Sequence, residues 1–318
     1  MLKRIGKDQL RIGMFIEALE GVWQDTPNAG RRFQLNREDL ATSLKDSRIS
    51  GIVINTSKGL DVSPSSSMQL GTDVLAPPVR TLSTSSTRQA RVLTAEKIKR
   101  SSALLKDIFN GVSAGSAVTV EMVAPVIEEI TSSVDLNPSI LISMTRLKTK
   151  DQATFLHSLA VAALMIRLAR HLKLDAAMVA LLGMSGLVHD IGKIGMPIEI
   201  LTKAGPLTDS EMDLVRRHPS LGHHILSRGK GMPDVVLDVC LHHHERLDGK
   251  GYPIGLTVPQ LSFYARMAAI CDVYDALTSA RPYKKPWTSL DAASWMLDTE
   301  GAFDRPLLHQ FIDGVIRA

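Results

Sequence analysis

Gly186-Leu-Val-His-Asp-Ile-Gly-Lys193 decides how this chain folds. The preceding residues, from 176 onward, form an apolar helical pattern that breaks at the glycines, and at the break an imidazole, His189, stands beside a carboxylate, Asp190. A carboxylate has two oxygens and can bridge two cations while imidazoles fill the remaining positions, so the pair predicts two divalent metal ions sharing Asp190. The candidate companions are His157, His218, His243, His244 and Asp272, all imidazole or carboxylate and none thiolate. Such a set suits a hard or borderline metal, and iron or manganese fits it better than a closed structural zinc site. Two ions about 3.5–4 Å apart would activate a shared water as hydroxide and neutralise the oxygens of a phosphodiester during in-line attack.

Outward from that pair the pattern is helical. Hydrophobic residues make up 44% of the 318 but aromatics only 4%, so the core must come from Ala, Leu, Val, Ile and Met, which predicts a mainly α fold. Helices are predicted at 94–109 with Asn110-Gly111 as C-cap, at 118–133, 137–147, 154–172 and 176–190, at 208–228 as one amphipathic helix, and at 233–244. Residues 1–62 read instead as a small β-containing module, in which Ile12, Met14 and Ile16 alternate and Gly51-Ile-Val-Ile-Asn55 is a short apolar run. Ser63-Pro-Ser-Ser-Ser67 and Ser83-Thr-Ser-Ser-Thr87 mark 63–90 as a solvated linker, followed by a helical connecting region at 91–147 and a catalytic domain at 148–318.

The net charge of +4 falls short of the dense basic face that nucleic-acid polymers require. Cys240 and Cys271, the two cysteines, are too few for a disulfide framework and predict small buried side chains in a reducing, cytoplasmic compartment. Residues 159–188 are the longest apolar region, but Arg167, Arg170, His171, Lys173 and Asp175 interrupt it, so no membrane span is expected.

A lone histidine on a helix face is more often a hydrogen-bonded core residue than a ligand. His171 and His309 are assigned to that class, and His223, His224 and His242 to polar faces or to support of the ligands. The joint pattern is different. His157-Ser158, His189-Asp-Ile-Gly-Lys193, His218, His243-His-Glu-Arg-Leu-Asp-Gly249, Gly251-Tyr-Pro253 and Asp272-Val-Tyr-Asp-Ala-Leu-Thr-Ser-Ala-Arg-Pro-Tyr-Lys284 together resemble an HD-GYP phosphodiesterase domain, from about residue 150 down to Phe303-Asp-Arg-Pro306.

The resemblance implies an HD-type helical bundle that opens cyclic di-GMP, a bacterial second messenger, to linear pGpG and sometimes onward to GMP. It implies that His157, His189, Asp190 and Asp272 hold one metal and that Asp190, His218, His243 and His244 hold the other, with a bridging hydroxide as nucleophile. Lys193 would face the phosphodiester, with Asp151 orienting it, and Asp275, Arg281 and Lys284 would contact the dinucleotide. A guanidinium fork at Arg281 suits a phosphate or a guanine edge by its own chemistry. Tyr252 would cap a guanine base or serve a partner surface, in a loop that Gly249, Gly251 and Pro253 shape. Some members place a glutamate one turn before the first histidine to hold a third metal; here that position is Ala153, which argues for two metals and against full conversion to GMP.

The N-terminal module resembles a small domain of unknown function found before some HD-GYP domains, through Gln9-Leu-Arg-Ile-Gly-Met14, Trp23, Phe33-Gln-Leu35 and Val53-Ile-Asn-Thr-Ser-Lys-Gly59. Trp23 and Phe33 are expected in its core, and a regulatory or homodimerising role is the expectation for the module. The competing function is a cyclic di-GMP sensor whose Gly-Tyr-Pro loop recruits diguanylate cyclases, the GGDEF proteins. A third reading is an HD-type hydrolase of other nucleotides.

Overall fold

The computed structural model describes residues 2–21, 33–46, 49–61, 84–146, 153–203, 205–280 and 286–317. It divides into two compact units, residues 1–78 and 79–318.

In the first unit, strands β1 (Leu2–Ile5), β2 (Phe15–Gly21), β3 (Phe33–Gln34) and β4 (Ile49–Asn55) form an antiparallel sheet in the order β1-β4-β2-β3, accompanied by helix α1 (Glu38–Asp46). Ile16 pairs with Ile54 across β2 and β4, and period-two alternation puts Ile16, Ile52 and Ile54 in the core with Met14, Leu10, Leu35 and Leu44. Ile12 breaks the predicted alternation. It sits in the turn before β2 and is 43% exposed, because Gly13 takes a φ of +93° that reverses the chain there. Trp23 lies outside the described residues.

The second unit is helical: α2 (Thr84–Ser113), α3 (Val120–Leu136), α4 (Pro138–Thr145), α5 (Ala153–His171), α6 (Ala176–Val188), α7 (Ile198–Leu201), α8 (Asp209–Val215), α9 (His218–Ser227), α10 (Asp234–His242), α11 (Phe263–Thr278), α12 (Ser289–Asp298) and α13 (Arg305–Phe311). Caps legible in the sequence set several of these boundaries. Asp175 accepts from Met178 N at 2.8 Å to start α6, Thr208 and Glu211 form a reciprocal capping box on α8, and Ser262 caps α11.

Three expectations change. Helix α2 begins at Thr84, inside the stretch read as linker, and runs past Asn110-Gly111 to Ser113; Gly115, at φ +94°, takes the left-handed position beyond its end. The single helix predicted at 208–228 is two, because Pro219 lacks an amide hydrogen and belongs in the first turn of a new helix, α9. Helices α1, α7, α11, α12 and α13 had no prediction.

Helices α5 and α6 form the centre. Ala160, Ala162 and Ala163 on α5 are fully buried, and a Cβ on Gly186 would come within 2.9 Å of the Ala162 backbone, so small side chains let the two helices touch at backbone distance. This contact lays His157, near the start of α5, beside His189 at the end of α6, with ring centroids 5.2 Å apart. Residues 176–195 have the length and hydropathy of a membrane span, but 67% of that window is buried inside the unit, as in a core helix.

Candidate metal centre

The helix break at His189-Asp190 leads into a tight 3-10 turn, Ile191–Gly195, that lies against α9. The histidines around it are oriented by one repeated device. His189 Nδ1 donates to Gly186 O at 2.8 Å, His218 Nδ1 to Val215 O at 2.7 Å and His243 Nδ1 to Cys240 O at 2.9 Å. A carbonyl can only accept, so each Nδ1 carries the hydrogen and, in the neutral ring, each Nε2 presents a bare lone pair inward. Those lone pairs converge on Asp190, which is 1% exposed.

Its two oxygens serve two different groups. Asp190 Oδ2 lies 3.6 Å from His157 Nε2 and 3.4 Å from His189 Nε2, whereas Oδ1 lies 3.1 Å from His218 Nε2 and 3.9 Å from His243 Nε2. Donor atoms of His157, His189 and Asp272 fall within 4.8 Å of one another, and so do those of Asp190, His218, His243 and His244. His157 Nε2 is 2.9 Å from Asp272 Oδ1, and His244 Nδ1 is 3.7 Å from Asp272 Oδ2, so Asp272 also reaches toward both groups.

The donors fit divalent cations. His189 Nε2 and Asp190 Oδ1 are buried without a well-formed hydrogen bond, and His218 Nε2 faces His243 Nε2 at 3.2 Å. Two opposed lone pairs and an orphaned carboxylate oxygen are unfavourable unless a positive charge stands between them. Burial, together with neighbouring histidines, holds His243 well below the usual imidazole range, and burial pushes His244 down to about 3, so both rings are unprotonated and ready to ligate near neutrality. Burial opposes ionisation of Asp190, but the Lys193 ammonium beside it favours the carboxylate, and the carboxyl is held well below its usual range. Lys193, three residues along the turn, donates its ammonium directly to Asp190 Oδ2.

All seven predicted ligands therefore meet in one place, although they come from α5, the α6 end, α9, the α10 end and α11. Tyr252 also arrives there, its ring stacked on His244 at 4.7 Å with an interplanar angle of 29°. Asp151, Arg281 and Lys284 lie outside the described residues. Asp275 is placed differently from the expectation of a dinucleotide contact. It is 1% exposed, with Oδ2 at 2.6 Å from His157 Nδ1 and Oδ1 accepting from Ser279 Oγ at 2.9 Å. One turn along α11 from Asp272, it faces the back of His157 and orients that ring. Asp275→Asn, which keeps the shape but offers His157 Nδ1 an uncharged partner, is expected to weaken divalent-metal affinity by about 10–100-fold in the half that holds His157. A metal titration giving wild-type affinity would leave Asp275 without this role.

The remaining histidines do not join the centre. His171 is hydrogen-bonded to Gln310 Oε1 at 3.1 Å, and His242 is held by Asp238 at 2.9 Å. Cys240 and Cys271 are buried free thiols, and Cys240 Sγ donates to His189 O at 3.3 Å.

Known proteins resemble the chain over most of its length. The HD domain family matches residues 130–307, and a domain of unknown function, DUF3391, matches residues 2–123. A cyclic di-GMP phosphodiesterase of Pseudomonas aeruginosa is 42% identical over 322 residues, spanning 99% of this chain and 77% of that protein. The chain belongs to the HD-GYP family. This HD-GYP protein is also 46% identical over 135 residues to the 3'3'-cGAMP-specific phosphodiesterase 1 of Vibrio cholerae, covering 42% of the chain and 31% of that relative. An HDG"Y"P protein from Bdellovibrio bacteriovorus matches over 100% of both chains with a TM-score of 0.58 and 17% identity, which speaks to the fold alone. The DUF3391 match extends beyond the small sheet to include α2 and the first residues of α3, so the N-terminal family region is longer than its β-containing part.

Proposed function

We propose that this HD-GYP protein is a metal-dependent cyclic di-GMP phosphodiesterase that opens the ring to linear pGpG. The observation that supports it best is the division of Asp190, one oxygen toward His157 and His189 and the other toward His218 and His243. When bound there, two divalent ions, iron or manganese by donor type, would supply an acidified water and neutralise the phosphodiester oxygens.

The chain's own groups do the rest. His157 is fixed from behind by Asp275, and His189, His218 and His243 are fixed by backbone carbonyls, so the donors need little reorganisation. Lys193 has an ammonium at Asp190 and a side chain still 24% exposed, so it can turn to a phosphate oxygen and steady the charge that develops on the leaving side. Tyr252, raised above its usual range mainly by burial, stays a neutral phenol whose ring can lie against a guanine face. Ala153 begins α5 where a third metal's carboxylate ligand would be needed, which favours two metals and pGpG as the product. The free thiols of Cys240 and Cys271 support a cytoplasmic setting.

The test is turnover of cyclic di-GMP by anaerobically purified protein loaded with iron or manganese, with product analysis and 3'3'-cGAMP as competitor. Accumulation of pGpG with cyclic di-GMP as the better substrate is expected. Metal-replete protein that binds cyclic di-GMP without cleaving it would make the site a sensor, and faster cleavage of 3'3'-cGAMP would move the substrate assignment to the hybrid dinucleotide.

A further inference from the structure

We propose that Glu245, which follows ligand His244 directly, is a positioning residue that clamps the Gly-Tyr-Pro loop and so holds Tyr252 and His244 in register over the metal centre. The proposal rests on the functional reading of that site. Helix α10 ends at His242, and Glu245 closes the turn behind it through its amide to His242 O at 2.9 Å. Its carboxylate is buried, at 3% exposure, and among the described residues no cationic side chain pairs with it. Backbone amides surround it instead. Ile254 N donates to Oε1 at 2.7 Å, Gly255 N to Oε1 and Oε2 at 3.0 and 3.1 Å, and Leu256 N to Oε2 at 3.0 Å. Three consecutive N–H groups converging on one acceptor form an anion-binding nest, and here the anion is the chain's own side chain. Gly255 permits that curvature with a φ of +79°.

The same short segment grips the loop at two further points. Tyr252 N donates to His244 O at 3.3 Å, and the Tyr252 ring stacks on the His244 ring. Gly251 approaches so closely that a Cβ there would fall 2.4 Å from Glu245 Cα. His244 and Glu245 therefore act on neighbouring parts of one loop: one meets Tyr252, and the other fixes the three amides just beyond Pro253. Without the carboxylate those amides would be left facing a buried space with no acceptor, and the loop would have to open to water. Opening it withdraws Tyr252 from His244, and with it the aromatic surface available to a guanine base.

Glu245→Gln in the full chain tests this, because the amide places an NH2 group among N–H donors while preserving volume. Hydrogen exchange at Ile254, Gly255 and Leu256 is expected to accelerate at least about tenfold. One of two Mn2+ equivalents is expected to bind about tenfold more weakly, as when an outer hydrogen-bond partner of a ligand is lost. At saturating Mn2+, KM for cyclic di-GMP should rise while kcat holds, since Lys193 and Asp190 are untouched. Unchanged exchange would overturn the clamp. Faster exchange with unaltered Mn2+ affinity and unaltered KM would overturn its positioning role. Wild-type protein that fails to cleave cyclic di-GMP would sink the functional reading alone, because exchange and Mn2+ titration still judge the clamp. Should Glu245→Gln fail to fold, Glu245→Asp, which keeps the charge but draws it back by one methylene, carries the same exchange and Mn2+ expectations.

Discussion

Asp190→Ala is expected to strip divalent metal from both halves of the centre and to lower cyclic dinucleotide turnover by at least about a thousandfold, since bound metals stabilise such transition states by several kcal/mol and each 1.4 kcal/mol is about tenfold. The expectation follows from the position of one side chain. Asp190 Oδ2 approaches His157 and His189, and Oδ1 approaches His218 and His243, so among the described residues Asp190 is the carboxylate that reaches two histidines on each side. Asp272 approaches both, but its reach to His244 is 3.7 Å. The substitution also frees Lys193, whose side chain is 24% exposed and can return to water without leaving a charge stranded. The variant should therefore fold, and a circular dichroism spectrum like the wild type separates lost chemistry from lost structure. Asp213→Ala is the matched control: its bond to Arg216 is an exposed surface pair, at 66% and 53% side-chain exposure, and such pairs contribute little. Metal analysis that still finds two ions in Asp190→Ala would show that the bridge is made elsewhere.

The seven candidate ligands that the structure brings together were legible in the sequence through their joint pattern of imidazoles and carboxylates. His189-Asp190, His243-His244 and Asp272 are potential donors by residue type, and the helices predicted at 154–172, 176–190 and 233–244 lead to His157, His189 and His243, whereas α11, which carries Asp272, had no prediction. Asp275 was misplaced because the sequence records its distance from Asp272 but not which way one turn of helix aims it. Its position three residues on puts it on the same face of α11, and that face meets His157, not the solvent-facing mouth of the site. Glu245 was hidden for a different reason. Its partners are backbone amides of Ile254, Gly255 and Leu256, and an amide carries no side-chain signature. The broken helix at 208–228 was signalled by Pro219, whose break an unbroken amphipathic pattern on either side concealed. In the small sheet, Met14 and Ile16 read correctly while Ile12 did not, since periodicity cannot say where a strand stops and Gly13 supplies the turn.

Gly192, next to last in Gly186–Lys193, has a role that composition alone does not reveal. The 3-10 turn Ile191–Gly195 crosses α9 at contact distance, and a Cβ on Gly192 would sit 2.0 Å from His218 O and 2.5 Å from Gly222 N. Both obstacles are backbone, so no rotamer change can relieve them. Gly222 meets the turn from the other side, where its own Cβ would fall 3.1 Å from Gly192 N and 2.7 Å from Cys240 Sγ. Gly192→Ala must therefore push the turn off the helix. Overpacking of this kind costs about 1–3 kcal/mol or more, which for a unit of this size lowers Tm by roughly 2–4 °C per kcal/mol. Asp190 and Lys193 flank the glycine and His218 begins α9, so the same movement lengthens the 3.1 Å approach of Asp190 Oδ1 to His218 Nε2. A displacement of about 1 Å in a catalytic constellation costs about a hundredfold in rate, so turnover should fall by that order even at temperatures where the variant is fully folded. Gly205→Ala, with nothing within 4 Å of the added carbon, should change neither quantity. A Gly192→Ala protein with wild-type Tm and wild-type turnover would mean that the turn and α9 do not hold the contact on which Asp190's second oxygen depends.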